Sequence, residues 1–378
     1  MRVNRTIVLL VALWVVAIWM AVHKRSGWPL LLPFAAFFAN ELVYQLSGGS
    51  AVPSEDLTEI FYDLSIIPTR YGPVDHNYSE GYYPDGDYGI SAAQAERNKF
   101  AKILEMLGAR GGDVVLDMGC GTCSFGQYCA ERGIFVIGLT LSSEQISLCE
   151  AKGVRALRRD FTKFVPELEG TVDHVLMLGS TEHVHGGPHR LVASFVHKRQ
   201  EMADLIALSR RYLRRPPRDD RPQRLFFSGL HLNRRYAGTW ESLVLQRAYG
   251  GTLLLDDPRL DVRSAAASAG MHDVEGGTRD SSFEYYLATV LNENHFGNPA
   301  PLSSPNMAAL LALGAVYPYA LYIWVYYIWG IWMWMFDGRH HFARDKRFSF
   351  QAARSRRPCT LVWYSADYND AKRKNIIP

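Results

Sequence analysis

The stretch "DVVLDMGCGTCSFGQYCAERG", residues 113–133, decides the fold of this chain. Its first part is a short apolar run that is typical of a buried strand and ends at Asp117. Gly119 and Gly121 follow as turn residues, and a helical pattern begins at Ser124. The stretch therefore predicts a strand, a glycine-rich turn and a helix in direct succession.

The flanking segments extend this unit on both sides. A helical pattern, "QAERNKFAKILEMLGA" at 94–109, precedes the strand, and a second apolar strand, "IFVIGLTLS" at 134–142, follows the helix. Together they predict a βαβ unit and an α/β fold with a mostly parallel, Rossmann-like sheet. Glycines between strand and helix let a cofactor approach the backbone. The dinucleotide fingerprint requires a third glycine where this chain has Cys123, which favours another cofactor.

Composition limits the classes of function. The chain of 378 residues has a formal net charge of +3, which is too small to predict a nucleic-acid partner. Most of its five cysteines lie between residues 120 and 149, a clustering unlike a disulfide framework. Cys120 and Cys123 lack a second pair at zinc-ligand spacing. We therefore predict reduced cysteines and no metal.

Three hydrophobic runs predict contact with a membrane. Residues 6–22 are long enough to cross the bilayer core and are flanked by basic residues. The run at 28–46 contains two prolines and a glutamate, which disfavour a simple span. The run at 306–336 is uncharged, rich in aromatic residues and interrupted by Pro318. We predict a re-entrant or interfacial helix pair there, because the later segment "CTLVWYS" has the pattern of a last sheet strand and must return to the sheet.

Several motifs together resemble one family. "VLDMGCG" (115–121) and "GLTLSSEQ" (138–145) resemble motif I and the second strand of class I S-adenosylmethionine-dependent methyltransferases. The sharper resemblance, over about residues 58–300, is to the branch of cyclopropane-fatty-acid synthases, mycolic acid methyltransferases and sphingolipid C9-methyltransferases. It implies a mostly parallel sheet with an antiparallel last strand. The supporting motifs are "YDLS" (62–65), "YSEGYY" (78–83), "RDFTKF" (159–164) and "LMLGSTEHV" (176–184).

The resemblance implies S-adenosylmethionine as the cofactor and assigns its contacts. Thr140 stands where most class I methyltransferases carry an acid for the ribose hydroxyls, as in the lipid branch, and Gln145 is then the ribose-side contact. Asp160 and Phe161 resemble the pair that binds and covers the adenine. The other implied contacts are those of the methionine side and the glycine turn, namely Tyr78, Ser79, Asp117, Gly119 and Gly121.

The resemblance also implies a base near the end of the fourth strand. Glu182 and His183 follow that strand, where open α/β sheets bind ligands, and Glu182 is the implied ligand or orienter of the base. Relatives that use bound bicarbonate hold it with a cysteine, where this chain has Glu80, and with a histidine on the fifth strand. His231 is the candidate histidine, about two residues later than expected, a shift that would keep it on the same face of the strand. Two alternatives stay open: bound bicarbonate, or the carboxylate of Glu80 itself.

These features predict a membrane-anchored methyltransferase that methylates or cyclopropanates a double bond in a lipid acyl or sphingoid chain. The alternatives are an N-methyltransferase of a small amine and a non-catalytic membrane scaffold with the same fold. The catalytic domain is expected to face the cytosol, at the endoplasmic reticulum if the source is eukaryotic. The basic segment 208–224 would suit anionic headgroups or form a solvated helix end.

The predicted organisation has five parts. They are an N-terminal membrane anchor (1–50), a lid and substrate-site segment (51–92), the methyltransferase domain (93–300), hydrophobic membrane-associated helices (301–338), and a basic tail with the last strand (339–378).

Overall fold

The computed structural model describes residues 80–84, 87, 89–183, 195–234, 253–281 and 359–368, together with six positions between 16 and 23. Within these residues, no helix has the length and apolar character needed to cross a bilayer. The three predicted hydrophobic runs lie wholly or largely outside the described residues, so their association with a membrane stays a prediction.

The described residues contain helices that alternate with strands in the order expected for an α/β fold. The helices are α1 (Ala92–Leu107), α2 (Ser124–Ala130), α3 (Ser143–Ala151), α4 (Phe195–Ser209) and α5 (Val262–Ser268). The strands are β1 (Val114–Met118), β2 (Phe135–Thr140), β3 (Arg155–Arg158), β4 (His174–Leu178), β5 (Arg224–Asn233), β6 (Leu254–Asp256), β7 (His272–Ser281) and β8 (Cys359–Asp367). A 3₁₀ turn, Thr181–His183, follows β4.

The strands form one sheet in the order β3-β2-β1-β4-β5-β8-β7, with β6 also paired to β5. Strands β1 to β6 pair in parallel, whereas β8 is antiparallel to both β5 and β7. This arrangement confirms the predicted sheet with its antiparallel last strand. The strand order reverses between β1 and β4, and ligands of open α/β sheets bind at the carboxyl ends of the strands at such a point.

Alternating side chains of the strands supply two separate cores, one on each face of the sheet. Phe100 of α1, Phe125 of α2 and Trp363 of β8 belong to one core. Ile206 of α4 and Val262 of α5 belong to the other. Because both faces are covered by helices, strands β1, β2, β4 and β5 are buried along most of their length, as their apolar sequences predict.

Side-chain and backbone caps set the bounds of α1. The Ser91 hydroxyl accepts a hydrogen bond from the N–H of Gln94, and Gly108 ends the helix with a φ of 68°. The helix therefore begins and ends within two residues of the pattern in the sequence.

The basic segment before β5 is engaged in ion pairs with acids of the same chain. Guanidinium groups pair with carboxylates in Arg211–Glu169, Arg214–Asp173, Arg221–Asp113 and Arg224–Asp367, at 3.0, 3.1, 2.8 and 2.8 Å. These pairs lie at the amino-terminal edge of β1, β4 and β5, opposite the carboxyl ends. These arginines are therefore paired within the protein, and binding of anionic headgroups by this segment stays a prediction.

Candidate active site

The glycine-rich turn after β1 is held against the neighbouring strands. The N–H groups of Gly119 and Cys120 both donate to the carbonyl of Leu139 on β2, at 3.0 Å. Gly119 has a φ of 103°, and a Cβ at this position would lie 2.3 Å from the Cβ of Ser180. Packing within the protein therefore requires glycine here.

Gly121 has different surroundings. Its φ is 51°, and a Cβ built on it would meet no atom within 4 Å. Open space thus lies over this glycine, among the described residues, at the carboxyl edge of the sheet. Such a bare stretch of backbone suits a cofactor that approaches the turn closely.

Asp117, at the end of β1, is a buried acid. It is 2% exposed, and its Oδ1 has no hydrogen-bond partner within the described part of the chain. Burial raises the pKa of Asp117 to about 7, and the charge of Lys99 on α1 opposes this rise only in part. A ligand that brings a hydrogen-bond donor or a positive charge would therefore stabilise the ionised carboxyl group of Asp117.

Thr140 and Gln145 form a buried polar pair between β2 and α3. The Thr140 hydroxyl donates to Oε1 of Gln145 at 2.5 Å and accepts from the N–H of Ser142 at 3.1 Å. The amide nitrogen of Gln145 has no hydrogen-bond partner among the residues that the structure describes. The pair thus offers a fixed N–H donor, which a sugar hydroxyl would satisfy.

Asp160 and Phe161 follow β3. Burial opposes the charge of Asp160, but hydrogen bonds from Thr162 and the Lys163 ammonium outweigh it and hold the pKa of Asp160 below its usual value. The ring of Phe161 reaches the turn after β1, 3.6 Å from the position of a Cβ on Gly119. An ionised acceptor and an aromatic ring therefore lie on consecutive residues beside the glycine turn.

Two buried glutamates meet at β5. Glu182 accepts a hydrogen bond through Oε1 from the N–H of Leu230 at 2.8 Å. Glu80 accepts from the hydroxyl of Ser228 at 2.6 Å and from Nε1–H of Trp363. Burial raises the pKa of Glu182 to about 7, the Leu230 N–H opposes this rise, and the charge of Glu80 adds to it. The two acids are therefore close enough to influence each other.

His231 is turned away from these acids. It lies an odd number of residues after Ser228 on β5, so its side chain occupies the other face of the sheet. There its Nε2 accepts a hydrogen bond from the N–H of Val262 at 3.2 Å. The structure does not bring His231 together with Glu80 and Glu182, so the expected histidine of the base site is not found at this position.

Three other predicted positions stay predictions. Tyr78 and Ser79 lie outside the described residues, and of His183 only the backbone, in the turn after β4, is described.

Two residues of the site were not singled out from the sequence. Ser228 and Trp363 face each other across the antiparallel pair of β5 and β8, and both donate to Glu80. For Ser228 the signal in the sequence was a serine in the middle of the apolar run "RLFFSGLHLN". No local pattern marks Trp363 as a donor to a residue that lies 283 positions earlier.

A disulfide joins the two helices beside the glycine turn. Cys123, the residue before α2, is bonded to Cys149 of α3, whereas Cys120 and Cys129 are buried free cysteines. Gly138 on β2 makes room for the free cysteine Cys120, since a Cβ on Gly138 would lie 2.5 Å from Sγ of Cys120. The prediction that these cysteines are all reduced is therefore wrong for one pair, because the fold brings together residues from opposite sides of β2.

Cys149→Ser is expected to lower the free energy of unfolding by about 3 kcal/mol, because the disulfide closes a loop of 26 residues in the unfolded chain. Thermal unfolding with and without a thiol reductant measures this effect. Reductant should lower the midpoint of the native protein and leave that of Cys149→Ser unchanged. An equal response of the two proteins would contradict the disulfide.

Known proteins resemble this chain in both sequence and fold. The family model of mycolic acid cyclopropane synthetase matches residues 54–205. A probable fatty acid methyltransferase of Mycobacterium tuberculosis is 32% identical over 134 residues, which are 34% of this chain and 30% of that protein. The chain thus spans less than a third of the length of that curated relative.

Solved structures share the fold over most of the chain. The cyclopropane synthase MmaA2 of Mycobacterium tuberculosis superposes with a TM-score of 0.54 and 18% identity, covering 84% of this chain and 96% of that one. The mycolic acid cyclopropane synthase CmaA1 complexed with SAH and CTAB gives a TM-score of 0.53 and 19% identity, covering 85% and 97%. The matches in sequence and fold confirm the resemblance that the motifs predict.

Proposed function

We propose that this chain, which resembles the mycolic acid cyclopropane synthetase family over residues 54–205, is an S-adenosylmethionine-dependent methyltransferase acting on a double bond of a lipid chain. The observation that carries the proposal is the turn after β1. Gly121 leaves open space there, and a buried carboxyl oxygen of Asp117 and the buried amide nitrogen of Gln145 have no partner among the described residues.

These residues fit the proposed cofactor. Gln145 would donate to the ribose and Thr140 would fix its amide, while Asp160 and Phe161 would hold the adenine amine and cover the ring. Asp117 and the turn through Gly121 would face the methionine part, with Tyr78 and Ser79 closing over it. When bound, S-adenosylmethionine supplies an electrophilic methyl group on a sulfonium. A structure of CmaA1 complexed with SAH supports this assignment.

The protein groups have two tasks in such a reaction. They hold the alkene in line with the methyl group and exclude water, and a base removes a proton from the carbocation that results. Glu182 and Glu80 lie at the carboxyl ends of the strands, where this second task would be carried out. His183, in the same turn as Glu182, is part of the proposed site.

A lipid substrate and a membrane location are part of the proposal. The hydrophobic runs at 6–22, 28–46 and 306–336 support them, as do relatives named for fatty acids and mycolic acids. We propose that these runs anchor the protein and that 306–336 forms a re-entrant or interfacial pair at the lipid entrance. The basic residues that flank 6–22 favour a domain that faces the cytosol, at the endoplasmic reticulum in a eukaryote, although a disulfide such as Cys123–Cys149 is rare in the cytosol.

Expression of the full chain in cells fed methyl-deuterated methionine tests the proposed reaction. Mass spectrometry of total lipids should show a labelled lipid that is absent when Gly121→Val is expressed. A methyl branch keeps all the deuterium of the group, whereas a cyclopropane loses part of it. A label found only in water-soluble amines would identify an N-methyltransferase instead, and no label with no cofactor binding would indicate a scaffold.

Binding of S-adenosylmethionine is expected to release protons below neutral pH. The pKa of Asp117 is raised to about 7 by burial, so the group is largely protonated at pH 6, and a cationic ligand favours its charged form. Affinity should therefore rise with pH up to about 7. Calorimetry at pH 6 in two buffers of different ionisation enthalpy measures the release, which should be smaller in Asp117→Asn. Proton uptake on binding would contradict this prediction.

A further inference from the structure

The carboxylate of Glu80 is held by two donors on neighbouring strands. Ser228 of β5 and Trp363 of β8 are cross-strand partners, and their side chains lie on the same face of the sheet. Both donate to the same oxygen of Glu80, Oε1. Glu80 is itself only 2% exposed. The second oxygen, Oε2, is therefore the one through which Glu80 would exchange a proton with a ligand.

Glu182 makes the site a pair of carboxyl groups. Two buried carboxyl groups that lie close together do not readily ionise at once. Glu80 accepts its two hydrogen bonds from an O–H and an N–H donor, whereas burial raises the pKa of Glu182 to about 7. Glu182 therefore holds a proton more readily than an exposed glutamate does.

The aromatic ring that contacts Glu80 packs against two further aromatic rings. The Trp363 ring is fully buried and lies 5.5 Å from the ring of Tyr82 and 6.0 Å from that of Phe226, centroid to centroid. The faces of aromatic rings attract cations, and a fixed anion in a buried site does so more strongly. The surroundings of Glu80 therefore suit a positive charge that develops on an apolar substrate.

We propose that Glu80 is itself the proton acceptor of the methyl transfer, in place of a bound anion, and that Glu182, fixed by the Leu230 N–H, is a positioning residue. This inference rests on the proposed function. The alkene's electron pair forms the new carbon–carbon bond as the sulfur–methyl bond breaks, and the sulfur keeps that bond's electrons. Glu80 Oε2 then takes a proton from the carbocation, whose C–H electron pair forms the double bond or closes the cyclopropane ring.

A stabilised carboxylate is basic enough for this step, because a proton next to a carbocation is strongly acidic. A carboxylate at this position would also repel a second anion such as bicarbonate at short range. The protein should therefore act without bicarbonate.

Glu80→Gln tests the inference, because it keeps the size of the side chain and removes its charge. Purified full-length protein is mixed with methyl-labelled S-adenosylmethionine and membranes of the expression host, and the label in the lipids is measured. We expect labelling to fall about 100-fold or more, the range for removal of a general base. The affinity for S-adenosylmethionine, measured by calorimetry, should change less than about threefold. Glu105→Gln, on the exposed surface of α1, is the matched control and should label at the native rate.

Added small anions give a second readout. Glu80→Ala leaves space beside Ser228 and Trp363, so formate or bicarbonate should restore part of its labelling activity and should not affect Glu80→Gln. The native protein should label equally in carbonate-free buffer and in buffer with bicarbonate. Strong stimulation of the native protein by bicarbonate would show that a bound anion is the base.

The outcomes separate this inference from the proposed function. Full labelling by Glu80→Gln would overturn the role of Glu80 while the methyltransferase proposal stands. Loss of both labelling and cofactor affinity in Glu80→Gln would assign Glu80 to the structure of the cofactor site and overturn its role as a base. A native protein that binds the cofactor but labels no lipid would overturn the proposed substrate and the inference with it.

Discussion

Gly121→Val is expected to abolish measurable binding of S-adenosylmethionine and to leave the protein folded. A Cβ at this position meets no atom of the described residues within 4 Å, so the new side chain fits there but fills the space proposed for the cofactor. Valine is also disfavoured at a φ of 51°, which shifts the turn. We expect a loss of at least about 3 kcal/mol of binding free energy, or more than about 100-fold in affinity.

Gly170→Val is the matched control for this variant. Gly170 has a φ of 67°, and no atom in the described part of the chain lies within 4 Å of a Cβ built on it, but it lies before β4 at the opposite edge of the sheet. It carries the same backbone penalty without touching the proposed site. Calorimetry should find native affinity in Gly170→Val and none in Gly121→Val. Native affinity in Gly121→Val would contradict the cofactor assignment.

Gly119→Ala is expected to lower the free energy of unfolding by about 4 kcal/mol. Two effects add, because the φ of 103° is unfavourable for alanine and the new Cβ would lie 2.3 Å from the Cβ of Ser180. Ser180 cannot move easily, since its hydroxyl donates to the carbonyl of Met118 at 2.6 Å. Denaturant unfolding followed by circular dichroism measures the loss.

The double variant Gly119→Ala with Ser180→Gly separates the two effects. Removing the Ser180 side chain relieves the clash and leaves the backbone strain, so about half of the lost stability should return. If Gly119→Ala is insoluble, the double variant should recover soluble protein. Native stability of Gly119→Ala would show that the turn adapts to a side chain. It would contradict the conclusion that packing within the protein requires glycine at position 119.

Much of the fold could be predicted because its signals are local. The strand ending at Asp117, the glycine turn and the helix after it occupy one continuous stretch, and their backbone preferences do not depend on distant residues. The last strand could be recognised for the same reason, from its own apolar pattern. The resemblance of the motifs to one family of methyltransferases likewise depends on short segments in a fixed order.

The candidate base site could be predicted only in part. The sequence identified Glu80 and Glu182 as acids, but their donors lie 148, 283 and 48 positions away, in Ser228, Trp363 and Leu230. His231 was expected near them, on the same face of β5, but an odd number of residues separates it from Ser228, and such a separation places two side chains on opposite faces of a strand.

By itself, then, the sequence determined the βαβ unit, the glycine turn and the buried strands, because these follow from the preferences of residues next to one another in the chain. Only the tertiary structure decided which face His231 occupies, that Cys123 meets Cys149, and that Glu80 lies under Ser228 and Trp363. These contacts depend on strand register and on the antiparallel insertion of β8 between β5 and β7, which arise from packing between distant segments.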